Sequence, residues 1–160
     1  MNWPSCPLSA EADLACDVRL LESPFDPATE IAAFTAAHAA AGGIASFIGQ
    51  VRAGDQVEAL ELQHYAPLTL PGMEALAGDA YPRWVLEGLL IIHRTGLMVP
   101  GDPIVLVAAA ARHRRDAFAA AEFAMDHLKS ESWFWKREKV GGEWLWIEPR
   151  GQDFEDLRRW

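Results

Sequence analysis

The chain has 160 residues, 51% of them apolar and 23% charged, a balance that fits one globular domain with a substantial core and excludes wholesale disorder. A formal net charge of −9 excludes a general nucleic-acid binder, which needs a broad basic face, but leaves room for a small basic pocket. No apolar run reaches the roughly 18 residues that would span a bilayer.

The N-terminus carries no basic segment followed by a long apolar stretch, so no secretory signal is read there. Cys6 and Cys16 make neither a disulfide framework nor a CxxC or Cys/His ligand spacing. The chain therefore reads as a cytoplasmic protein with reduced thiols, no membrane segment and no bound metal.

Residues 1–13, with Pro4 and Pro7, read as a loose extension ahead of a single domain over 14–150. Ala15 to Leu21 alternates as a strand and is closed by Ser23-Pro24. Asp26-Pro27 is a helix start, an N-cap followed by proline in the first turn, and that helix runs through Ile31, Phe34 and His38 to Gly42-Gly43. His38 is expected on the helix surface. Gly43 to Val51 predicts a mostly buried strand, and Val57 to Tyr65 a second; Gly54-Asp55 between them suggests a hairpin.

Pro67 and Pro71 break the chain before a helix predicted over 72–81. Val85 to His93 and Pro103 to Ala111 predict two further strands, joined by a loop containing Pro100-Gly101-Asp102. The best helical pattern covers Arg114 to Leu128, with Phe118, Ala121, Met125 and Leu128 on one face. Phe134–Val140 and Glu143–Glu148 form a closing hairpin around Gly141-Gly142. Residues 151–160 read as a short charged tail. Hairpins outnumber parallel crossovers, so the fold class is α+β with about three helices.

The chemistry concentrates in cations at element ends. Lys129 and Lys136 bracket the aromatic run Trp133-Phe134-Trp135 within an acidic chain. Two readings of that segment stand on the residues alone. In one, the lysines line an anion pocket, where burial and neighbouring cations ease loss of a proton. In the other, a helix ends at Lys129 and a partly buried aromatic strand follows, carrying a solvated Lys-Arg pair. Arg52 ends a strand, and His113-Arg114 precede the long helix, where free N–H groups and the helix dipole favour an anion. Serine-nucleophile and metal-site patterns are missing, and Glu138, Glu143 and Glu148 read as solvated positions on the hairpin.

Taken in order, a set of short blocks resembles the large, catalytic subunit of molybdopterin synthase over most of the chain. The blocks are 43–52, Leu62-Gln63-His64-Tyr65, Pro71-Gly72-Met73, Ile92-His93-Arg94-Thr95-Gly96, Pro100-Gly101-Asp102, His113-Arg114, Ala117-Phe118 and 125–129. The most specific is Phe134-Trp135-Lys136-Arg137-Glu138.

The resemblance implies an α/β hammerhead-type fold and a homodimer at the centre of a heterotetramer. Each end of that assembly would hold a small ubiquitin-like sulfur carrier whose C-terminal Gly-Gly is a thiocarboxylate. It implies sulfur transfer to cyclic pyranopterin monophosphate to make the dithiolene of molybdopterin, with no resident cofactor. Lys129 and Lys136 match the catalytic lysines. Arg52, His113 and Arg114 match positions for the substrate's anionic groups, Phe47 and Met125 pocket walls, and Arg150 an arginine reaching the neighbouring subunit's site.

The chain departs from the family in a short loop over 53–56, in Gln63 where glutamate is common, and in an insertion-like stretch over 66–70. A non-catalytic binding module and a purely structural dimerisation domain are the competing functional classes. The lysine pair favours the enzyme.

Overall fold

The computed structural model describes residues 16–54, 56–130 and 133–160. The extension expected over residues 1–13 and the turn residue Asp55 lie outside them.

Two four-stranded sheets are built from eight strands. In chain order the elements are β1 (Cys16–Leu21), α1 (Pro27–Ala37), β2 (Gly43–Gln50), β3 (Val57–His64), α2 (Ala66–Ala80) and β4 (Leu86–Arg94). They continue with β5 (Gly96–Met98), β6 (Pro103–Ala111), α3 (Arg114–Ser130), β7 (Phe134–Val140), β8 (Glu143–Ile147) and α4 (Gly151–Leu157). The first sheet has the order β1-β4-β6-β2 and the second β5-β3-β7-β8. Among the described residues only β1 and β4 pair in parallel. The class is α+β, with four helices among the described residues where the sequence predicts about three.

β4 and β6 are near-continuous apolar runs because helices cover both faces of the first sheet. On one face Leu89, Ile91, Val105, Val107 and Ala109 pack against Met73 and Ala77 of α2 and Ala120, Phe123 and Ala124 of α3. On the other, Leu90, Ile92, Leu106 and Ala108 pack against Phe34 of α1. α1 begins as its sequence predicts: the Asp26 carboxylate accepts from the Ala28 and Thr29 N–H groups, and Pro27 occupies the first turn. His38 closes that helix half-buried, its Nδ1 2.8 Å from the Phe34 carbonyl oxygen. The second sheet keeps Leu60, Leu62 and Met98 on its inner face, against Val51 and Ile104.

Several expectations are corrected. β2 and β3 do not form a hairpin: β2 pairs with β6, and β3 lies between β5 and β7 in the other sheet. Strand alternation explains the split, because Leu60 and Leu62 need a covered face that the exposed edge strand β2 cannot supply. Nor is β2 mostly buried. It borders the first sheet, and Phe47 and Ile48 are 43% and 39% exposed.

The helix predicted over 72–81 starts at Ala66, so the insertion-like stretch over 66–70 is its opening turns. Pro67 falls where an N–H has no helical partner, and only Pro71 removes an intrahelical bond. The buried Thr69 hydroxyl donates to Tyr65 O or Trp133 O, at 3.1 and 3.0 Å, fastening those turns to the start of β7.

The short strand β5 was not visible in the pattern; three residues are too few for periodicity. Residues 151–160 are no free tail. α4 packs on α3, and Trp160 sits edge-on to Trp84 and Phe123 with its indole N–H donating to Asp126 at 2.8 Å. Phe118 is 61% exposed, whereas Ala121, Met125 and Leu128 are buried as predicted. The buried stripe of α3 also takes in Ala117, Ala120, Phe123 and Ala124, where the prediction had Phe118. The closing hairpin is as read, with Gly141 and Gly142 at φ +59° and +83°, the left-handed pair that a tight two-residue turn requires.

Candidate functional site

α3 is the element that distributes the candidate residues. It folds back on the first sheet after β6, and β2 is antiparallel to β6, so α3 runs in the same direction as β2. Their starts touch. A Cβ on Gly43 would stand 3.4 Å from the Arg114 Cα, and one on Gly42 would collide with the Arg112 carbonyl. The Gly-Gly pair is therefore a close-approach site.

Helix and strand rises then set the levels along this layer. Met125 lies about 16 Å along α3 from Arg114, roughly level with Ile48, and Lys129 about 22 Å along, roughly level with Gln50. Phe47 shares the α3-facing side of β2 with Ala45, and Met125 is buried in the same interlayer. Lys129 is exposed at the end of α3. Arg52, also exposed, follows Val51 at the same end of the molecule.

β7 brings Lys136 to this end. It pairs with β3 so that Lys136 stands opposite Leu62, Phe134 opposite His64 and Glu138 opposite Leu60. Opposed residues share a face, so all three point to the inner side of the second sheet, where Val51 packs. Lys136 Nζ lies 2.9 Å from Glu138 Oε1. Glu138, read from the sequence as a solvated hairpin position, is instead half-buried and paired with Lys136. Its i, i+2 spacing from Lys136 on a strand is the signal that could have found it.

Arg137 points to the outer face, pairs with Glu61 and lies over the Trp144 and Trp146 rings at 4.7 and 5.6 Å. Of the Lys-Arg pair, then, neither member is simply solvated. Phe134 stacks on His93 at 4.0 Å, and burial pushes the His93 imidazole down to about 4, so it is neutral at pH 7. That stack fixes the start of the strand carrying Lys136.

Arg150 immediately precedes α4. Its N–H donates to the Asp153 carboxylate at 2.9 Å, and Ser130, one residue beyond Lys129, donates its hydroxyl to the Asp153 backbone oxygen at 2.7 Å. Arg150 therefore also belongs to the Lys129 end.

By these levels and registers Arg52, Met125, Lys129, Lys136 and Arg150 lie toward the same end of the molecule, with Phe47 nearer the middle of β2. His113 and Arg114 do not join them: they are exposed at the opposite end of α3. A further open cavity of about 500 Å³, absent from the sequence reading, is lined by Glu22, Leu62, Gln63, His64, Thr95 and Gly96. Among the described residues no cluster of three or more His, Cys, Asp or Glu could hold a metal, and no helix is long and apolar enough to cross a membrane.

A phosphate or carboxylate-like anion fits the cationic end. Comparison with known proteins places the chain among relatives over most of its length. The family model described as MoaE protein matches residues 20–131. A molybdopterin synthase catalytic subunit from Ralstonia nicotianae is 44% identical over 146 residues, covering 89% of this chain and 83% of that protein. The solved molybdopterin biosynthesis MoaE protein from Burkholderia ambifaria superposes with a TM-score of 0.76 at 41% identity, covering 91% of this chain and 97% of that one. A chain from a Helicobacter pylori complex of subunits 1 and 2 of molybdopterin-converting factor shares the fold at 19% identity, with a TM-score of 0.72 over 83% of this chain and 91% of its own.

Proposed function

Because this chain belongs to the MoaE protein family, as an enzyme subunit of the molybdopterin synthase kind, we propose that it inserts sulfur into cyclic pyranopterin monophosphate. The sulfur donor is the C-terminal thiocarboxylate of a small ubiquitin-like carrier, and two transfers build the dithiolene. Relatives named as catalytic subunits imply companion subunits in those proteins, and a carrier is the companion this chemistry needs. The nucleophilic sulfur arrives on that partner, which accounts for a site built from lysine and arginine with no cysteine or serine nucleophile.

What supports the reading is the placement of Lys129 at the end of α3, of Arg52 just past β2 and of Lys136 on the inner face of the second sheet, toward the same end of an acidic chain and on the side of Phe47 and Met125. Lys129 neutralises the thiocarboxylate and stabilises charge developing in acyl transfer; Lys136, held by Glu138, orients substrate and assists opening of the cyclic phosphate. One protomer separates Lys129 from His113-Arg114 by about 22 Å, too far to grip one small phosphorylated substrate. In the proposed homodimer, the core of a heterotetramer, the His113-Arg114 end of one protomer serves the Lys129 end of the other, and Arg150 reaches across the same junction. The assembly works in the cytoplasm.

The test supplies purified protein with cyclic pyranopterin monophosphate and thiocarboxylated carrier, wild type beside Lys129→Ala. Dithiolene product from wild type alone supports the function and the lysine. Carrier binding without product from folded wild type would turn the reading to a binding module, and equal product from both proteins would remove Lys129 from the mechanism.

A further inference from the structure

Arg94 is the one buried charged side chain among the described residues, 3% exposed at the end of β4. Its Nη1 lies 3.5 Å from Asp102 Oδ2 and its Nη2 donates to the Leu97 carbonyl at 3.5 Å, while Nε and Nη1 have no hydrogen-bond partner among the described residues. The Asp102 carboxylate is therefore its counter-charge. That same oxygen accepts from the Val99 N–H at 3.0 Å, and the Asp102 N–H donates to the Val99 carbonyl at 3.0 Å, closing the 99–102 turn.

This turn grips Val51 by both backbone groups. The Val51 N–H donates to the Asp102 carbonyl at 2.9 Å, and the Gly101 N–H donates to the Val51 carbonyl at 2.8 Å. Gly101 adopts φ +93°, which a side chain would resist. Val51 is buried against Leu60, Leu62 and Met98, and from Arg52 to Gly54 the chain is exposed. Arg52 is thus the first residue beyond a doubly bonded anchor.

We infer that Arg94 and Asp102 are positioning residues for Arg52, setting through the 99–102 turn and Val51 the place from which its guanidinium meets the substrate's anionic group. The inference rests on the substrate role given to Arg52 above. Neither Arg94 nor Asp102 need touch substrate. A guanidinium fork discriminates by geometry, so a displaced anchor weakens substrate binding more than turnover.

The experiment measures KM for cyclic pyranopterin monophosphate and kcat, with saturating thiocarboxylated carrier, in wild type, Arg52→Ala, Asp102→Asn and the double variant. A further pair, Arg94→Gln with Asp102→Asn, removes both charges and so avoids a lone buried cation. Thermal unfolding checks that each variant is folded. The expected result is a KM about tenfold higher in Asp102→Asn, kcat within about twofold, and no further rise when the change is added to Arg52→Ala. Two results would overturn the inference: a normal KM in Asp102→Asn and in the charge-removed pair while Arg52→Ala raises it, or effects of Asp102 and Arg52 that simply multiply. An unchanged KM in Arg52→Ala would instead reject the substrate role of Arg52 itself, and the positioning role with it.

Discussion

At its C-terminal end α3 delivers Lys129 to a crowded junction, where the end of β2, the start of β7 and the approach to α4 converge; at its N-terminal end it presents His113 and Arg114 to solvent beside Gly42-Gly43. Both ends carry cations, and the proposed function gives both an anion to handle. They differ in what surrounds them. The Lys129 end has apolar walls, a lysine held by a carboxylate and strands fixed by a buried aromatic stack. The His113 end has exposed side chains on the first turn of a helix, where the helix dipole favours an anion. Under the proposed function a protomer carries most of the reaction site at one end and a separate pair of cations at the other, which is the arrangement expected of a chain that works as a pair.

The sharpest way to break this contrast is Lys129→Ala. Losing the charge that stabilises acyl transfer should lower kcat by about 10²- to 10³-fold, with the fold intact by circular dichroism. A loss of less than threefold would remove the distinction between the two ends.

The next effect concerns the stack beneath Lys136. His93 has a folded-state value of about 4, set by burial, against about 6.5 in the unfolded chain. Between those values the unfolded state binds the extra proton, so stability is full above about pH 6.5 and falls as the pH drops towards 4, by on the order of 3 kcal/mol. Urea unfolding from pH 7 to pH 4 should show that slope, and His93→Gln should flatten it. An equally steep slope in His93→Gln would assign it to other groups.

What could be read from the residues beforehand follows the same division. β4, β6 and α3 are long and strongly patterned because each is covered by neighbours, and they were legible. So was the Asp26-Pro27 start of α1, where cap chemistry is local. The hairpin of β2 with β3 was misread because strand partners are chosen by tertiary burial, not by the turn signal between two runs. α2 was shortened because Pro67 and Pro71 read as breakers, although Pro67 sits where the first turn tolerates it. Within the site, motif resemblance supplied the residue identities. It could not supply their separation along α3, or the Lys136–Glu138 ion pair, which depends on two side chains sharing a strand face.

Arg114→Ala probes the other end of α3, with a smaller effect: a KM for cyclic pyranopterin monophosphate raised about tenfold. Its value lies in mixing. If the ends serve each other across a dimer, equal amounts of Lys129→Ala and Arg114→Ala protomers, unfolded and refolded together, form mixed dimers with one intact site. With substrate well below KM, random pairing then returns about a quarter of wild-type activity, against about a twentieth for the mean of the two parents. A mixture no more active than the mean of its two parents would place His113-Arg114 outside the reaction site.

The smallest expected effect bears on the face of α3 between its two ends. Phe118 lies one turn from Arg114 and is 61% exposed, whereas Phe123 is 1% exposed and packs against Trp84 and Trp160. Truncating an aromatic that is already mostly in water removes little burial, so Phe118→Ala should change unfolding free energy by about 0.5 kcal/mol or less. Phe123→Ala, a cavity in the interlayer, sets the contrasting scale of about 3–5 kcal/mol. The measurement is urea denaturation at several protein concentrations. A concentration-dependent loss above about 1 kcal/mol in Phe118→Ala would mean that the other protomer also covers this face, so that the proposed junction extends from the His113 end along α3.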